Sequence, residues 1–178
     1  MPVALRVEYS VGNAQGEQAT ASLSAVFERA DAELRDFGKW IFPRLPSVFE
    51  QELRTQFGAE GHGPHAGSWA PLSASYEAWK AVRYPGQPIL VATGKLREAL
   101  TDSASPFAAR DYSASEFAFG TAGVEYASLH QLGTVRMSAR PPFDFGDVFE
   151  ERLQQEAQLG IVEAVRAADP DSLLEVRP

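Results

Sequence analysis

The first residues of the chain alternate between apolar and polar side chains. Apolar residues occupy every second position from 3 to 11, with polar or small residues between them. Because successive side chains of a strand point to opposite faces, this alternation predicts a half-buried β-strand with one solvated face. From residue 22 the apolar repeat changes to three- and four-residue steps, which predicts a long amphipathic helix over residues 22–41. Its apolar positions are Leu23, Phe27, Ala30, Leu34, Phe37 and Ile41.

Two prolines and a glycine-rich stretch divide the next part of the chain. Pro43 and Pro46 interrupt the helical period, and Ser47 with Glu50 three residues later forms a capping box that predicts a new helix start. That helix carries Val48, Leu53 and Phe57 on its apolar face. Residues 58–68 contain five glycines or prolines and few apolar side chains, so we expect a mobile loop.

The central region predicts short elements. Leu72, Tyr76 and Trp79 share one face of a helix that Ser73 caps and that ends at Tyr84-Pro85-Gly86. An extended segment at 87–91 leads to a brief helix capped by Thr93. A hairpin follows, with strands at 103–110 and 113–121 around Asp111-Tyr112. The last two predicted helices span 124–132, closed by Gly133, and 143–168.

These elements predict an α+β fold. A mainly antiparallel sheet, built from the N-terminal strand and the 103–121 hairpin, would pack against the two long amphipathic helices at 22–41 and 144–168. We expect one domain over residues 1–168, followed by a tail at 169–178.

Composition and charge exclude several classes of function. The chain has 178 residues, with 16 basic and 24 acidic side chains and a net charge of -8, which is unfavourable for a phosphate-binding surface. It has no cysteine, which excludes disulfides, thiolate zinc sites and cysteine nucleophiles, and which fits synthesis in a reducing cytoplasm. No stretch approaches the roughly 20 apolar residues of a membrane span.

Few residues are candidates for catalysis. Glu60, His62 and His65 are the one cluster of metal-ligand type, and they lie in the glycine-rich loop, whereas a catalytic zinc site needs about three rigidly held ligands. A solvated loop is the favoured interpretation. A metal-dependent hydrolase using His62 and His65 remains the alternative, and stoichiometric zinc that is lost on His62→Ala would support it. His130 has no recognisable nucleophile elbow nearby and is interpreted as structural.

The central region is locally basic and aromatic. Two interpretations of its basic residues remain open: they form salt bridges across a subunit interface, or they belong to an ordinary surface of mixed charge. They are Lys80, Lys95, Arg97, Arg136 and Arg140. Trp69 and Trp79 are predicted to pack in the core rather than to form a ligand platform.

The order of motifs in this region resembles the phage virion morphogenesis family of tail completion proteins. The resemblance covers about residues 50–150. Its parts are Trp69-Ala70-Pro71-Leu72, Tyr76, Trp79-Lys80, Ile89-Leu90, Thr93-Gly94-Lys95-Leu96-Arg97, Gly120-Thr121, Tyr126-Ala127, His130-Gln131-Leu132-Gly133 and Ala139-Arg140-Pro141.

The resemblance implies a structural virion protein without catalysis or cofactor. Such a protein completes the head-proximal end of the tail and joins it to the head, in a closed ring, with six subunits as the common number. Its partners would be further copies of itself, the tail tube and head-completion or neck proteins, while DNA only passes through the channel. Its place would be the head–tail junction of the virion.

Seven residues of this region form the candidate motif for packing and subunit contact: Trp69, Tyr76, Trp79, Arg97, Tyr126, His130 and Arg140. The loop at 58–68 and the tail at 171–178 are expected to settle against a neighbouring subunit. The second alternative is a monomeric adaptor that binds a peptide through the aromatic motif.

Overall fold

The structure, a computed structural model, describes residues 28, 29, 31–61 and 69–168. Within these residues the protein is α+β, with a two-stranded antiparallel sheet and predominantly helical segments. The elements are α1 (Phe37–Trp40), a 3₁₀ helix (Phe42–Arg44), α2 (Leu45–Gly58), α3 (Ala74–Arg83), α4 (Lys95–Thr101), β1 (Ala108–Tyr112), β2 (Phe117–Thr121), α5 (Ala127–Leu132) and α6 (Asp147–Ala168).

Several predictions fall outside the described residues. They concern the strand at 3–11, the first part of the helix at 22–41, the loop from 62 to 68 and the tail from 169.

The chain forms two compact units. The first includes residues up to 44, 112–117 and those from 154 onward, and the second comprises 45–111 and 118–153. The second unit therefore contains all seven residues of the candidate motif.

The predicted helix at 22–41 does not run unbroken to its end. Residues 31–34 are helical, but the helix is interrupted at Arg35 and Asp36. The Asp36 carboxylate caps α1 by accepting a hydrogen bond from the Lys39 amide at 3.1 Å. Because an N-cap can start a new helix within two residues, the spacing of apolar side chains does not reveal so short an interruption.

Within the first unit, charge and close packing hold the 3₁₀ helix and α1 to α6. Arg44 forms ion pairs with Glu163 at 2.5 Å and Glu156 at 3.4 Å, and the Glu163 hydrogen bond is the main cause that raises the pKa of Arg44. Gly160 lies so close to the Trp40 carbonyl that a Cβ there would be 2.7 Å from the oxygen. The absence of a side chain at Gly160 allows this approach.

The core of the second unit lies between α2 and α4. Leu53, Leu96 and Leu100 are almost completely buried, and each such side chain contributes about 1.5–3 kcal/mol through removal from water. The remaining members of this cluster are Phe57, Trp69, Val91, Ala99 and Val124.

The hairpin is confirmed, but its strands begin at Ala108 and Phe117 rather than at 103 and 113, and its turn is not the one predicted. Asp111 and Tyr112 lie in β1, and the connection is residues 113–116. The ring of Phe119 stacks on that of Phe49 in α2 at 5.0 Å. Packing of the sheet on two long helices is thus only partly confirmed, because α2 supplies this contact and was not one of the two predicted helices.

A buried ion pair links α2 to the hairpin. Glu50 accepts hydrogen bonds from Nε and Nη2 of Arg110, both at 3.3 Å. The same guanidinium donates to the carbonyls of Gly120 and Ala99 at 2.8 and 3.0 Å. Burial lowers the pKa of Arg110, and Glu50 opposes that effect. Removal of Glu50 would leave the guanidinium of Arg110 without this carboxylate, whereas removal of Arg110 would leave Glu50 with Arg54, at 3.5 Å, as its other ion-pair partner in the described residues.

Three helix starts differ from prediction. α5 begins at Ala127 rather than at 124. α2 begins at Leu45, two residues before Ser47, because Pro46 is tolerated in a first turn where its missing N–H is not needed. α6 begins at Asp147 rather than at 143. The Gln131 side chain accepts from the Phe143 amide at 3.1 Å and donates to the Phe143 carbonyl at 3.2 Å, so this backbone is already paired outside a helix.

The segment before α4 is a turn rather than extended chain. Leu90 has φ of 62°, and the Val91 amide donates to the Pro88 carbonyl at 3.1 Å. The N-cap of α4 is Gly94, with φ of 85°, although Thr93 was the predicted cap. Glycine is favoured there because a side chain is strained at positive φ.

Candidate functional site

Helix α3 presents its aromatic residues outward and its lysine inward. The Ser73 hydroxyl accepts a hydrogen bond from the Tyr76 amide at 3.4 Å, so the predicted N-cap is confirmed. Lys80 is the buried residue of this helix, whereas Trp79 is 51% exposed. The rings of Tyr76 and Trp79 lie 5.3 Å apart on the exposed face. The prediction that Trp79 packs in the core is therefore wrong.

Trp69 has the opposite environment. It is 2% exposed, its ring meets Phe57 edge-on at 5.4 Å, and its indole Nε1 donates to the Pro141 carbonyl at 3.0 Å. The predicted core position is confirmed for this tryptophan.

Arg140 ties three separate segments together from a buried position. Nε donates to the Ala70 carbonyl at 2.6 Å and Nη2 to the Pro71 carbonyl at 2.7 Å. Its own amide donates to the His130 carbonyl at 2.8 Å. Charge-assisted bonds of this kind are stronger than neutral ones, so Arg140 fixes the start of the motif region against α5.

His130 is half-buried on α5. Its ring meets that of Tyr126 edge-on at 5.8 Å, and within the described part of the chain its Nδ1 is buried without a hydrogen-bond partner. Burial is the main cause that lowers the pKa of His130, and the charge of Arg140 adds to it. The ring is therefore neutral at pH 7, and no described carboxylate orients it as a general base would require.

A cleft of about 710 Å³ brings the basic and aromatic residues together. Four of the seven predicted motif residues line it: Tyr76, Tyr126, His130 and Arg140. Trp69, Trp79 and Arg97 do not, and Arg97 is exposed on α4. Lys80, Lys95 and Arg136 add three more positive charges, and none of the described residues that line the cleft is a carboxylate.

Two features of this region were missed from the sequence. The left-handed backbone of Leu90 shapes one wall of the cleft, and positive φ is uncommon enough for such a residue that no local pattern predicts it. The Gln131 bonds to Phe143 hold the segment after the cleft, and they join positions that no helical or strand period connects.

The described residues show neither a metal-binding cluster nor a membrane-spanning helix. No group of three or more histidine, aspartate or glutamate side chains there is arranged to hold a metal ion, and His62 and His65 lie outside those residues. None of the described helices combines the length and the apolar character of a membrane span.

Comparison with known proteins gives a family. The sequence model of the phage virion morphogenesis family matches residues 18–158, which extends the resemblance beyond residues 50–150 on both sides. Searches of curated proteins and of solved structures gave no match. The match supports a structural or morphogenetic role in the virion. Because it spans most of the sequence, the chain belongs to the phage virion morphogenesis family.

Proposed function

We propose that the protein completes the head-proximal end of a phage tail and mediates head–tail joining as a closed ring. Membership of the phage virion morphogenesis family supports a structural part in the virion. The ring would contact the tail tube on one side and head-completion or neck proteins on the other. Six copies is the expected number.

The observation that carries this proposal is the apolar surface of the second unit. On α3, Trp79 is 51% and Val82 86% exposed. On α5 and the turn after it, Leu132 is 80% exposed and Val135 is fully exposed. Exposed apolar side chains concentrated on particular elements are typical of protein interaction sites.

A closed ring requires two different patches on each subunit that complement each other. The exposed face of α3, defined by Tyr76, Trp79 and Val82, is one candidate patch. The residues Leu129, Leu132 and Val135 form the other. Both lie within the sequence matched by the family. The net charge of -8 also suits a ring through which DNA passes, because like charge prevents DNA from adhering.

The test uses the phage or prophage that encodes the chain. A particle preparation lacking the protein should contain filled heads and separate tails, and the wild-type chain supplied in trans should restore joined particles. A Trp79→Ser, Val82→Ser chain should fail to restore them, because the α3 face no longer buries apolar surface. Glu77→Gln, an exposed change on the same helix, is the matched control and should restore joining.

Electron micrographs of the lysates provide the measurement. Joined particles in a lysate that lacks the protein would overturn the proposal. Purified virions that do not contain the protein would also overturn it. Full restoration by the α3 variant would remove that face from the ring interface.

A further inference from the structure

The two buried cations of the cleft donate their hydrogen bonds to main-chain carbonyls. Lys80 and Arg140 are 5% and 7% exposed, and their side chains donate to the main-chain carbonyls of Pro88, Ala70 and Pro71. A carbonyl dipole satisfies a donor but does not cancel its charge. Burial of both cations beside one cleft therefore leaves a positive potential there.

The two other cations lie at more accessible positions of the lining. Lys95 donates to the Gly123 carbonyl at 2.9 Å, and Arg136 is exposed in the turn after α5. The charge of Glu60 acts on Lys80, but Glu60 is not among the described residues that line the cleft. The described lining residues include four cations and no carboxylate, which makes the cleft an attractive site for anions, although the chain as a whole is acidic.

The rest of the lining selects among anions. Leu90, Leu96, Tyr76 and Tyr126 give the walls aliphatic and aromatic surface, and the volume is in the range of sites that enclose an organic ligand. A small inorganic ion would leave this surface exposed. A peptide segment with both carboxylates and aliphatic side chains would cover it and neutralise the cations.

The chain itself contains such a segment. Residues 169–178 carry three carboxylates, one arginine and the aliphatic side chains of Leu173, Leu174 and Val176. The segment follows α6 directly in sequence, since that helix ends at Ala168. Its net charge of about -2 is opposite in sign to that of the cleft lining.

We propose that the cleft binds residues 169–178 of a second copy of this chain. The inference deepens the proposed ring, because it names one contact between neighbours and supplies the occupant of the cleft. Electrostatic contacts of this kind determine which partner and register are accepted, while the apolar patches supply buried area.

Peptide binding tests the occupant. The receiver is the full chain with its own tail neutralised by Asp169→Asn, Asp171→Asn and Glu175→Gln, so that it does not compete. A fluorescent peptide of residues 169–178 should bind it, as measured by anisotropy, and binding should weaken as salt increases. The same peptide with the three amide substitutions should bind at least tenfold more weakly.

A pair of double variants of the receiver locates the binding. Lys95→Gln with Arg136→Gln should weaken the wild-type peptide about tenfold, since each removes one accessible cation of the cleft. Arg97→Gln with Arg83→Gln removes the same charge from exposed positions outside the cleft and should change affinity less than about twofold. Equal weakening by both pairs would overturn the cleft assignment, as would no binding by a folded receiver. Equal affinity for a scrambled peptide would overturn the choice of occupant.

Cross-linking tests whether the segment comes from a second copy. The chain has no cysteine, so an engineered pair is the only thiol chemistry present. One chain with Ser138→Cys in the cleft and another with Ser172→Cys in the tail should form a mixed disulfide dimer on oxidation. Ser128→Cys, exposed on α5 but outside this cleft, is the control and should give little mixed dimer. A disulfide formed only within a chain carrying both changes would contradict the second-copy assignment.

These measurements separate the two proposals. The peptide-binding and cross-linking experiments use purified protein, whereas the head–tail test uses phage particles. If the peptide binds and mixed dimers form, but particles join normally without the protein, the cleft assignment stands and the head–tail role is rejected. The opposite combination would reject the cleft assignment alone.

Discussion

Trp69 and Trp79 belong to one aromatic motif, yet they occupy opposite environments. Trp69 is buried against Phe57 of α2 and bonded to the Pro141 carbonyl, whereas Trp79 lies half exposed on α3 beside Tyr76. On α2 the apolar stripe faces the core, and on α3 the buried residue is Lys80. The contrast indicates that Trp69 helps to hold the core together, while the aromatic face of α3 is exposed.

The comparison also corrects a common inference from helical wheels. An apolar stripe predicts that a helix has two faces, but it does not determine which face meets the protein interior. In α3, the Lys80 stem and ammonium reach inward to the Pro88 carbonyl, so the aromatic face points outward. A long side chain can bury its methylene groups while its charged end finds polar partners.

The largest difference should come from truncating the two tryptophans. Trp69→Ala should lower the free energy of unfolding by about 3–5 kcal/mol, because it opens a cavity in the core and leaves the Pro141 carbonyl without its indole donor. Trp79→Ala should cost less than about 1 kcal/mol, since the ring is already half solvated. Urea denaturation of both variants measures the difference. Similar losses would contradict the assignment of Trp79 to a surface role.

A smaller contrast should appear at two glycines with the same backbone conformation. Gly61 and Gly86 have φ of 78° and 73°. A Cβ at Gly61 would lie 2.5 Å from Cγ of Trp69, whereas a Cβ at Gly86 would have no atom of the described residues within 4 Å. Gly86→Ala should therefore cost about 1–2 kcal/mol from backbone strain alone. Gly61→Ala should cost about 1–3 kcal/mol more, from overpacking against the ring.

Thermal or urea unfolding of the two alanine variants provides the comparison, with Gly86→Ala as the matched control for φ. Equal destabilisation would mean that the packing around Trp69 adjusts to the extra methyl group at Gly61 without cost.

The smallest expected effect concerns pH and His130. Its folded pKa is lowered, first by burial and then by Arg140, from an ordinary value of 6.5. The unfolded chain therefore binds more protons below pH 6.5, so the stability from neutral His130 is complete above that pH and is lost progressively as the pH falls. His130→Gln should remove this part of the pH dependence.

Unfolding free energies at pH 7.5 and 5.5 for wild type and variant isolate the contribution. His62 and His65 are present in both proteins, so their titration cancels in the difference. An equal decline in the two proteins would contradict the lowered pKa.

Prediction from sequence succeeded where local chemistry was strong. The α3 cap at Ser73, the brief helix around Leu96 and the hairpin strands follow from capping, apolar spacing and turn residues. It failed at helix starts and turns, where distant groups decide: Gln131 pairs the backbone of Phe143 and delays α6. The five basic residues of the region were recognised from the sequence as a group. Packing alone determines that four of them line one cleft and that Arg97 lies outside it.

The sequence by itself determined the α+β class, the family and the set of aromatic and basic residues that carry its motif, because residue order and local periodicity contain that information. Only the tertiary structure decided which tryptophan is buried, that Lys80 faces inward, and that Glu50 pairs with Arg110. Those outcomes depend on contacts between residues far apart in the chain, where burial, charge and hydrogen bonding are settled together rather than by any single segment.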